Sequence, residues 1–328
     1  MLPEARSVPP AEPGRAAVEA HDLAKHYGAL VALESFSFSV QPGEILGVLG
    51  PNGAGKTTAI RVLTTILPPT QGTFTIAGIP HTRPTEIRRL VGVLPESSGY
   101  PERQTGEEYM RYFARLYGHS RASARAVTAS LLAQVGLAER GRSLIAGYSR
   151  GMRQRLGIAR TLVNDPQIVF LDEPTLGLDP AGQRQVLELI RLIARERGAT
   201  VLLSTHLLAE VEEVCSRALI LNRGRVAADG TVAELARRAA APRSARLRVD
   251  AGYVDRALGL LRGTLGIDRV DVADGLPGSL TVTLGGAAGE GAIYDGLRAL
   301  VEEGVPVLVF ELEGARLSDA FLAMTEEQ

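Results

Sequence analysis

The sequence predicts an α/β domain built on a phosphate loop and interrupted by an α-helical insert, followed by a small α+β unit of order βαββαβ. Three observations carry this. An apolar run, Glu44-Ile45-Leu46-Gly47-Val48-Leu49, passes into Gly50-Pro51-Asn52-Gly53-Ala54-Gly55-Lys56-Thr57 and then into Thr58-Ala59-Ile60-Arg61-Val62-Leu63, which has helical spacing. A second apolar run, Ile168-Val169-Phe170-Leu171, ends in two carboxylates, Asp172 and Glu173. Residues 245–328 alternate strand-like and helix-like segments and hold no cluster of ligating or nucleophilic side chains.

The first run gives strand, glycine loop and helix with the pattern G-x-x-x-x-G-K-T at the join. Glycines let the backbone wrap a phosphate closely, and successive N–H groups form an anion nest. The first turn of the helix adds unpaired N–H groups and the positive end of its dipole. Lys56 supplies a compact charge for β- and γ-phosphates, and the Thr57 hydroxyl suits Mg²⁺. The chain has only two lysines, Lys25 and Lys56, so one of them stands in the loop of a protein that otherwise uses arginine. An ammonium fits a tight phosphate cradle better than a planar guanidinium does.

Composition bounds the rest. A chain of 328 residues allows one large domain or two modest ones. It is 45% hydrophobic and 22% charged, enough for a normal globular core. A formal net charge of −1, with no strongly basic segment, argues against a nucleic-acid surface. The single cysteine, Cys215, excludes an internal disulfide, suits a reducing compartment and reads as a core thiol. No run of about eighteen apolar residues exists, so no membrane-spanning helix is expected. Residues 1–16 are rich in Pro, Ala and Glu and lack the apolar core of a signal peptide; they are expected to form a disordered tail on a cytoplasmic product.

Between residues 18 and 49 the chain reads as short strands, with alternation over Phe36-Ser37-Phe38-Ser39-Val40 and a turn at Gln41-Pro42-Gly43-Glu44. Tyr27 precedes them; spacing alone makes it an ordinary, partly buried tyrosine. After the loop helix, strands are expected over 73–76 and 91–94, with a helical segment over 87–90 and Pro95-Glu96 at the end of the second strand. Thr105-Gly106-Glu107-Glu108 is a capping box opening a helix to about Leu116, and a second helix covers about 122–135. These form the helical insert, about 101–135.

Ser149 is a candidate N-cap for a helix running to about Val163. Asp172 and Glu173 stand at the carboxyl end of an apolar strand, where open α/β sheets bind ligands. Asp172 suits Mg²⁺, and Glu173 suits proton transfer from an attacking water. Gly177-Leu178-Asp179-Pro180 turns into a helix to about Arg197, a strand over 200–204 ends at Thr205-His206, and a helix covers 207–215. Residues 231–234 cap a short helix, and 239–244 read as a linker. Beyond it, strands are expected over 245–249, 269–272, 280–284 and 305–312, with helices over 254–265, 292–303 and 317–324. The βαββαβ order is the split βαβ, or ferredoxin-like, pattern.

Taken together, these motifs resemble the ATP-binding subunits of ABC (ATP-binding cassette) transporters, a P-loop NTPase family, over about 18–238. The resemblance implies an ABC ATP-binding domain at 17–238 and a separate accessory domain at 245–328. Gly50, Pro51, Asn52, Gly53, Ala54, Gly55, Lys56 and Thr57 match the Walker A motif, with Thr58 beside it. Ile168 to Asp172 match Walker B, with Glu173 at the catalytic glutamate. Ser149, Arg150, Gly151 and Met152 occupy the signature, Asp179 the D-loop, His206 the switch histidine and Tyr27 the adenine-stacking aromatic. Two positions depart from the family pattern. The usual Leu-Ser-Gly-Gly-Gln is Tyr148-Ser149-Arg150-Gly151-Met152, and the Q-loop position is Glu96, which adds a charge and lacks the donors of glutamine.

By this resemblance Tyr27 stacks adenine, the loop backbone wraps the phosphates of ATP, and Lys56 neutralises them. Thr57, Glu96 and Asp172 organise Mg²⁺, Glu173 polarises water, and His206 holds the γ-phosphate. Ser149 and Gly151 act in trans across a homodimer. The variant motifs and the C-terminal unit are similar to those of drug and natural-product exporters of the daunorubicin-resistance type. That implies a separate membrane permease, no nucleic-acid partner, and a place on the cytoplasmic face of the membrane. The rival class, soluble ABC ATPases acting on ribosomes or DNA, fits less well: their ribosomal members usually carry two cassettes, and their DNA-repair members a coiled coil for which residues 58–148 leave no room.

Overall fold

The structure, a computed structural model, describes residues 15–97, 99–239, 244–273, 276–285, 289–313 and 321. Residues 1–14 of the expected tail, 240–243 of the expected linker and all but Phe321 of the expected closing helix lie outside the described residues. The chain divides into two compact units, Met1–Thr231 and Val232–Gln328.

In chain order the first unit runs β1 (Val18–Tyr27), β2 (Leu30–Val40), β3 (Ile45–Leu49), α1 (Lys56–Leu63), β4 (Gln71–Ile76), β5 (Ile79–Pro80), α2 (Pro84–Leu90), β6 (Val91–Leu94), α3 (Gly106–Leu116), α4 (Arg121–Gln134), α5 (Arg150–Thr161), β7 (Ile168–Asp172), α6 (Pro180–Arg197), β8 (Thr200–Thr205), α7 (Leu208–Val214), β9 (Arg217–Asn222) and β10 (Arg225–Thr231). Two sheets result. One is antiparallel, in the order β2-β1-β4-β5. The other has the order β10-β9-β3-β8-β7-β6 and is parallel except for β10. β7 and β8 are buried along their whole length, which is why they read as continuous apolar runs rather than alternations. A core joins the two sheets: Phe36 and Phe38 of β2 and Phe74 of β4 pack with Leu46 of β3, Phe170 of β7, and Ile60 and Leu63 of α1.

The parallel pairing brings the carboxyl ends of β3, β8, β7 and β6 to one edge, with Leu49 opposite Thr205 and Asp172 opposite Ser204. The phosphate loop follows β3, Glu173 follows β7, His206 follows β8, and Glu96 lies just past β6. The helical insert departs from this edge. Thr105 caps α3, and its backbone N–H and hydroxyl donate to Glu108, holding that carboxyl below its usual range. α3 packs on α4, and both pack on α5.

The second unit contains α8 (Val232–Ala239), β11 (Ser244–Val249), α9 (Val254–Arg262), β12 (Ile267–Val272), β13 (Ser279–Leu284), α10 (Gly289–Glu302) and β14 (Val307–Glu313). Its sheet is antiparallel throughout, in the order β12-β13-β11-β14. One face buries Ala245, Leu247, Val249, Leu280 and Val282 against Ala257 and Leu261 of α9 and Ile293 and Leu300 of α10.

The strand pair β9–β10 has no counterpart among the sequence expectations. Its connection is two residues, Arg223 (φ 47°) and Gly224 (φ 80°), both left-handed, between paired Asn222 and Arg225. This is the geometry of a primed hairpin turn, for which Arg-Gly is a weaker signal than Asn-Gly.

Candidate active site

A cleft of about 560 Å³ opens at the carboxyl edge of the parallel sheet. Eleven residues singled out from the sequence line it: Tyr27, Asn52, Gly53, Ala54, Gly55, Lys56, Thr57, Thr58, Glu96, Glu173 and His206. The remaining wall is Leu30, Val31, Ala32 and Leu176. One end is therefore apolar and aromatic, and the other is a backbone loop at a helix N-terminus. Tyr27 is 42% exposed, with Lys25 Nζ 5.5 Å from its ring centre. Such a cleft suits a molecule with a flat, weakly polar end and a polyanionic end.

The loop owes its shape to its glycines. Gly55 is the N-cap of α1 at φ 107°, and a Cβ there would lie 2.5 Å from the Ala32 carbonyl oxygen. A Cβ on Gly50 would lie 2.4 Å from the Leu221 carbonyl oxygen. The first turn of α1 carries no acidic residue of its own that would occupy its N–H groups.

Lys56 Nζ donates to the carbonyls of Gly50 (2.7 Å) and Pro51 (3.3 Å), and stands 3.3 Å from Glu173 Oε1. The Lys56 and Glu173 side chains are only 7% and 8% exposed, so the pair is buried in the cleft floor. The other Glu173 oxygen, Oε2, is 2.8 Å from His206 Nδ1. Glu173 has φ 48°, a left-handed backbone that a non-glycine residue keeps only when its surroundings enforce it. Here the enforcement is visible: the Glu173 N–H donates to both the carbonyl and the hydroxyl oxygen of Ser204, each at 3.1 Å. Asp172 is buried behind the cleft, where Oδ1 accepts from Thr57 Oγ1 (3.2 Å) and Ser204 Oγ (2.5 Å).

Not every expected residue is brought to this cleft. Ser149 and Asp179 cap helices, accepting from Met152 N–H (3.2 Å) and Gly182 N–H (3.3 Å) respectively. Arg150, Gly151 and Met152 form the start of α5 and are not among the lining residues. The Arg150 guanidinium lies against Gly177 (φ 69°), filling the space a side chain there would need.

Sequence reasoning missed Ser204, which ties Asp172 to Glu173. It also missed Glu210, which accepts from Thr175 Oγ1 and Thr205 Oγ1. The signal for Ser204 was an apolar strand ending in the polar triplet Ser204-Thr205-His206. Among the described residues no group of three or more His, Cys, Asp or Glu could hold a metal, and no helix is long and apolar enough to cross a membrane.

The chain is similar to known proteins over most of its length. A family model described as ABC transporter matches residues 33–176. The daunorubicin/doxorubicin resistance ATP-binding protein DrrA of Streptomyces peucetius is 37% identical over 314 residues, 94% of this chain and 92% of that protein. The Nod factor export ATP-binding protein I of Paraburkholderia xenovorans is 39% identical over 221 residues, covering 67% of this chain and 72% of that one. Among solved structures, an ATP-binding subunit of an ABC transporter superposes with TM-score 0.60 at 35% identity, covering 68% of this chain and 92% of that chain.

Proposed function

The chain belongs to the ABC transporter family as an ATP-binding subunit with ATPase activity, and from that premise we propose that it powers export of a drug-like or natural-product molecule through a separate membrane permease. The observation that carries the ATPase chemistry is the chain of contacts Lys56–Glu173–His206 at the mouth of the phosphate loop.

In this reading the adenine of ATP lies on Tyr27, beside Leu30 and Val31, and the backbone of residues 50–58 wraps the phosphates, binding them through its N–H groups except at Pro51, which has none. Lys56 is placed to move its charge onto the β- and γ-phosphates. Glu173, an acceptor, orients and deprotonates the attacking water. His206 donates to the γ-phosphate or to Glu173, according to its tautomer. Mg²⁺ fits the donor set present: a hydroxyl and a carboxylate 3.2 Å apart, Thr57 and Asp172, with Glu96 lining the same cleft. Mg²⁺ bound with a nucleotide needs only one or two protein carboxylates beside phosphate oxygens and water. When bound it would neutralise charge on the phosphate oxygens. Ser149 and Gly151, away from their own subunit's cleft, would serve a second copy in a head-to-tail homodimer.

The export reading is supported by the relatives named for drug resistance and for Nod factor export. The permease contact is supported by apolar side chains that the helical insert leaves exposed, Tyr112, Leu116 and Tyr117. They adjoin a cleft of about 290 Å³ lined by Ile66, Val93, Phe113 and Tyr117. Through the permease the subunit would sit at the cytoplasmic face of the membrane. The second unit we read as a ferredoxin-like accessory domain that reinforces the dimer; the antiparallel order β12-β13-β11-β14 supports the fold assignment.

The test is a pull-down of tagged Glu173→Gln protein from detergent-solubilised native membranes with ATP and Mg²⁺. Recovery of a polytopic membrane protein that gives ATP-dependent daunorubicin transport when reconstituted with the parental chain supports the proposal. Recovery of ribosomes or DNA-bound proteins instead would overturn it.

A further inference from the structure

Glu210 is only 4% exposed and takes no part in the chemistry described above. It is the third residue of α7, where free helix N–H groups and the dipole favour a carboxylate. A carboxylate this deeply buried is costly unless both oxygens are satisfied. Both are. Oε1 accepts from Thr175 Oγ1, and Oε2 accepts from Thr205 Oγ1 at 2.7 Å. The two threonines are themselves buried.

The identity of the donors gives the pair of bonds its meaning. Thr175 lies two residues after Glu173, in a turn closed by Leu176 N–H donating to the Glu173 carbonyl (3.2 Å). Thr205 immediately precedes His206, and its hydroxyl oxygen also accepts from Leu207 N–H (3.0 Å). One carboxylate thus holds, through one oxygen each, the segment carrying Glu173 and the segment carrying His206. We propose that Glu210 is a positioning residue for ATP hydrolysis: it brackets the two strand ends so that Glu173 and His206 meet at a fixed separation. The proposal rests on the reading of Glu173 as the base.

Because the donors are neutral hydroxyls, the role is geometric. Replacing Glu210 by Gln keeps the volume but substitutes an amide N–H₂ for one acceptor, so one of the two hydroxyls loses the atom it donates to. A displacement of about 1 Å between reacting groups costs up to about 100-fold in rate, while groups that only bind substrate are untouched. A bracket of this kind therefore acts on kcat and not on KM.

The experiment uses the full chain as Glu210→Gln, Thr175→Val, Thr205→Val and the double variant Glu210→Gln/Thr175→Val. Steady-state ATP hydrolysis, trinitrophenyl-ATP affinity and thermal midpoint are measured for each. Glu210→Gln is expected to lower kcat about tenfold or more, with KM and analogue affinity within about twofold of the parent. The double variant is expected to be no worse than the poorer single one, because with Val at 175 the Gln amide can turn its remaining acceptor to Thr205, so that both changes fall on the Thr175 link. Should Glu210→Gln not fold, the two threonine variants carry the same expectation. An unchanged kcat, a parallel loss of kcat, affinity and thermal midpoint, or losses that multiply in the double variant would overturn the proposal. Failure of the underlying reading shows separately, as a parental rate that Glu173→Gln does not lower, and it removes the basis of this one too.

Discussion

His206 Nδ1 lies 2.8 Å from Glu173 Oε2. The contact joins the ends of two neighbouring parallel strands, and Lys56 on the opposite side of the carboxylate completes a cation–carboxylate–imidazole line. Glu173 is held there in a left-handed backbone conformation by Ser204.

The first prediction concerns Glu173 itself. Glu173→Gln keeps the shape and the hydrogen bond to His206 but removes the proton acceptor. ATP turnover should fall about 100-fold or more. ATP affinity should stay within a few-fold, and ATP-dependent dimerisation should persist longer than in the parent. Phosphate release and light scattering check this; parental turnover in the variant would falsify the assignment of the base.

A second prediction separates two glycines of the loop. Gly55 has φ 107°, and a Cβ there meets the Ala32 carbonyl at 2.5 Å, a backbone atom that cannot step aside. Gly53 also has a positive φ, 82°, but open space around it. Gly53→Ala should cost only the left-handed backbone penalty, about 1–2 kcal/mol. Gly55→Ala should cost clearly more and abolish ATP binding, because the loop must open. Urea denaturation and isothermal titration with ATP give both numbers, and equal costs at the two positions would refute the argument.

Most of the site was legible in the sequence because its parts are contiguous. The phosphate loop, Asp172-Glu173 and His206 each sit at the end of an apolar run, and parallel pairing obliges such ends to share an edge. Tyr27 illustrates the limit: its spacing was that of an ordinary tyrosine, and only strand pairing in the other sheet carries it to the cleft. Glu210 could not be read at all. Its partners, Thr175 and Thr205, are 35 and 5 residues away, and a Glu in the first turn of a helix is by itself a common solvent-facing residue. β9 and β10 escaped because their turn uses Arg223-Gly224 in place of a stronger hairpin pair.

A third prediction follows from Arg150, which stands where the family's signature has glycine. Its guanidinium carbon would lie 2.4 Å from a Cβ on Gly177. Gly177→Ala should therefore carry the left-handed backbone cost at φ 69° and a smaller one for displacing Arg150, an exposed and flexible side chain that can swing aside. Each kcal/mol corresponds to about 2–4 °C of thermal midpoint in a unit of this size. In Arg150→Ala/Gly177→Ala the steric part should vanish and the backbone part remain. A double variant showing the sum of the single losses would mean that the two residues are independent.

The last prediction is a pH dependence. Burial pushes the Cys215 thiol up from 9.0 to about 12, with the nearby Glu210 charge adding to the shift. The sulfur packs over β3, where a Cβ on Gly47 would meet it at 3.0 Å. A thiol whose folded value is raised contributes its full stability below pH 9.0, where it is neutral in both states. Above that the unfolded chain ionises and the folded one does not, so stability falls as pH rises towards about 12. Burial raises the Tyr109 and Tyr148 phenols as well, and these add to the same slope. The measurement is therefore the difference between parent and Cys215→Ala in unfolding free energy at several pH values above 9. The variant should show the shallower decline, whatever packing energy it loses at neutral pH. The same burial predicts that maleimide labels the native chain at pH 8 far more slowly than the urea-unfolded chain, since the thiolate is the nucleophile and the fold withholds it. Equal labelling rates would mean that the end of α7, which Cys215 caps, opens readily, and the slope with pH should then be absent too.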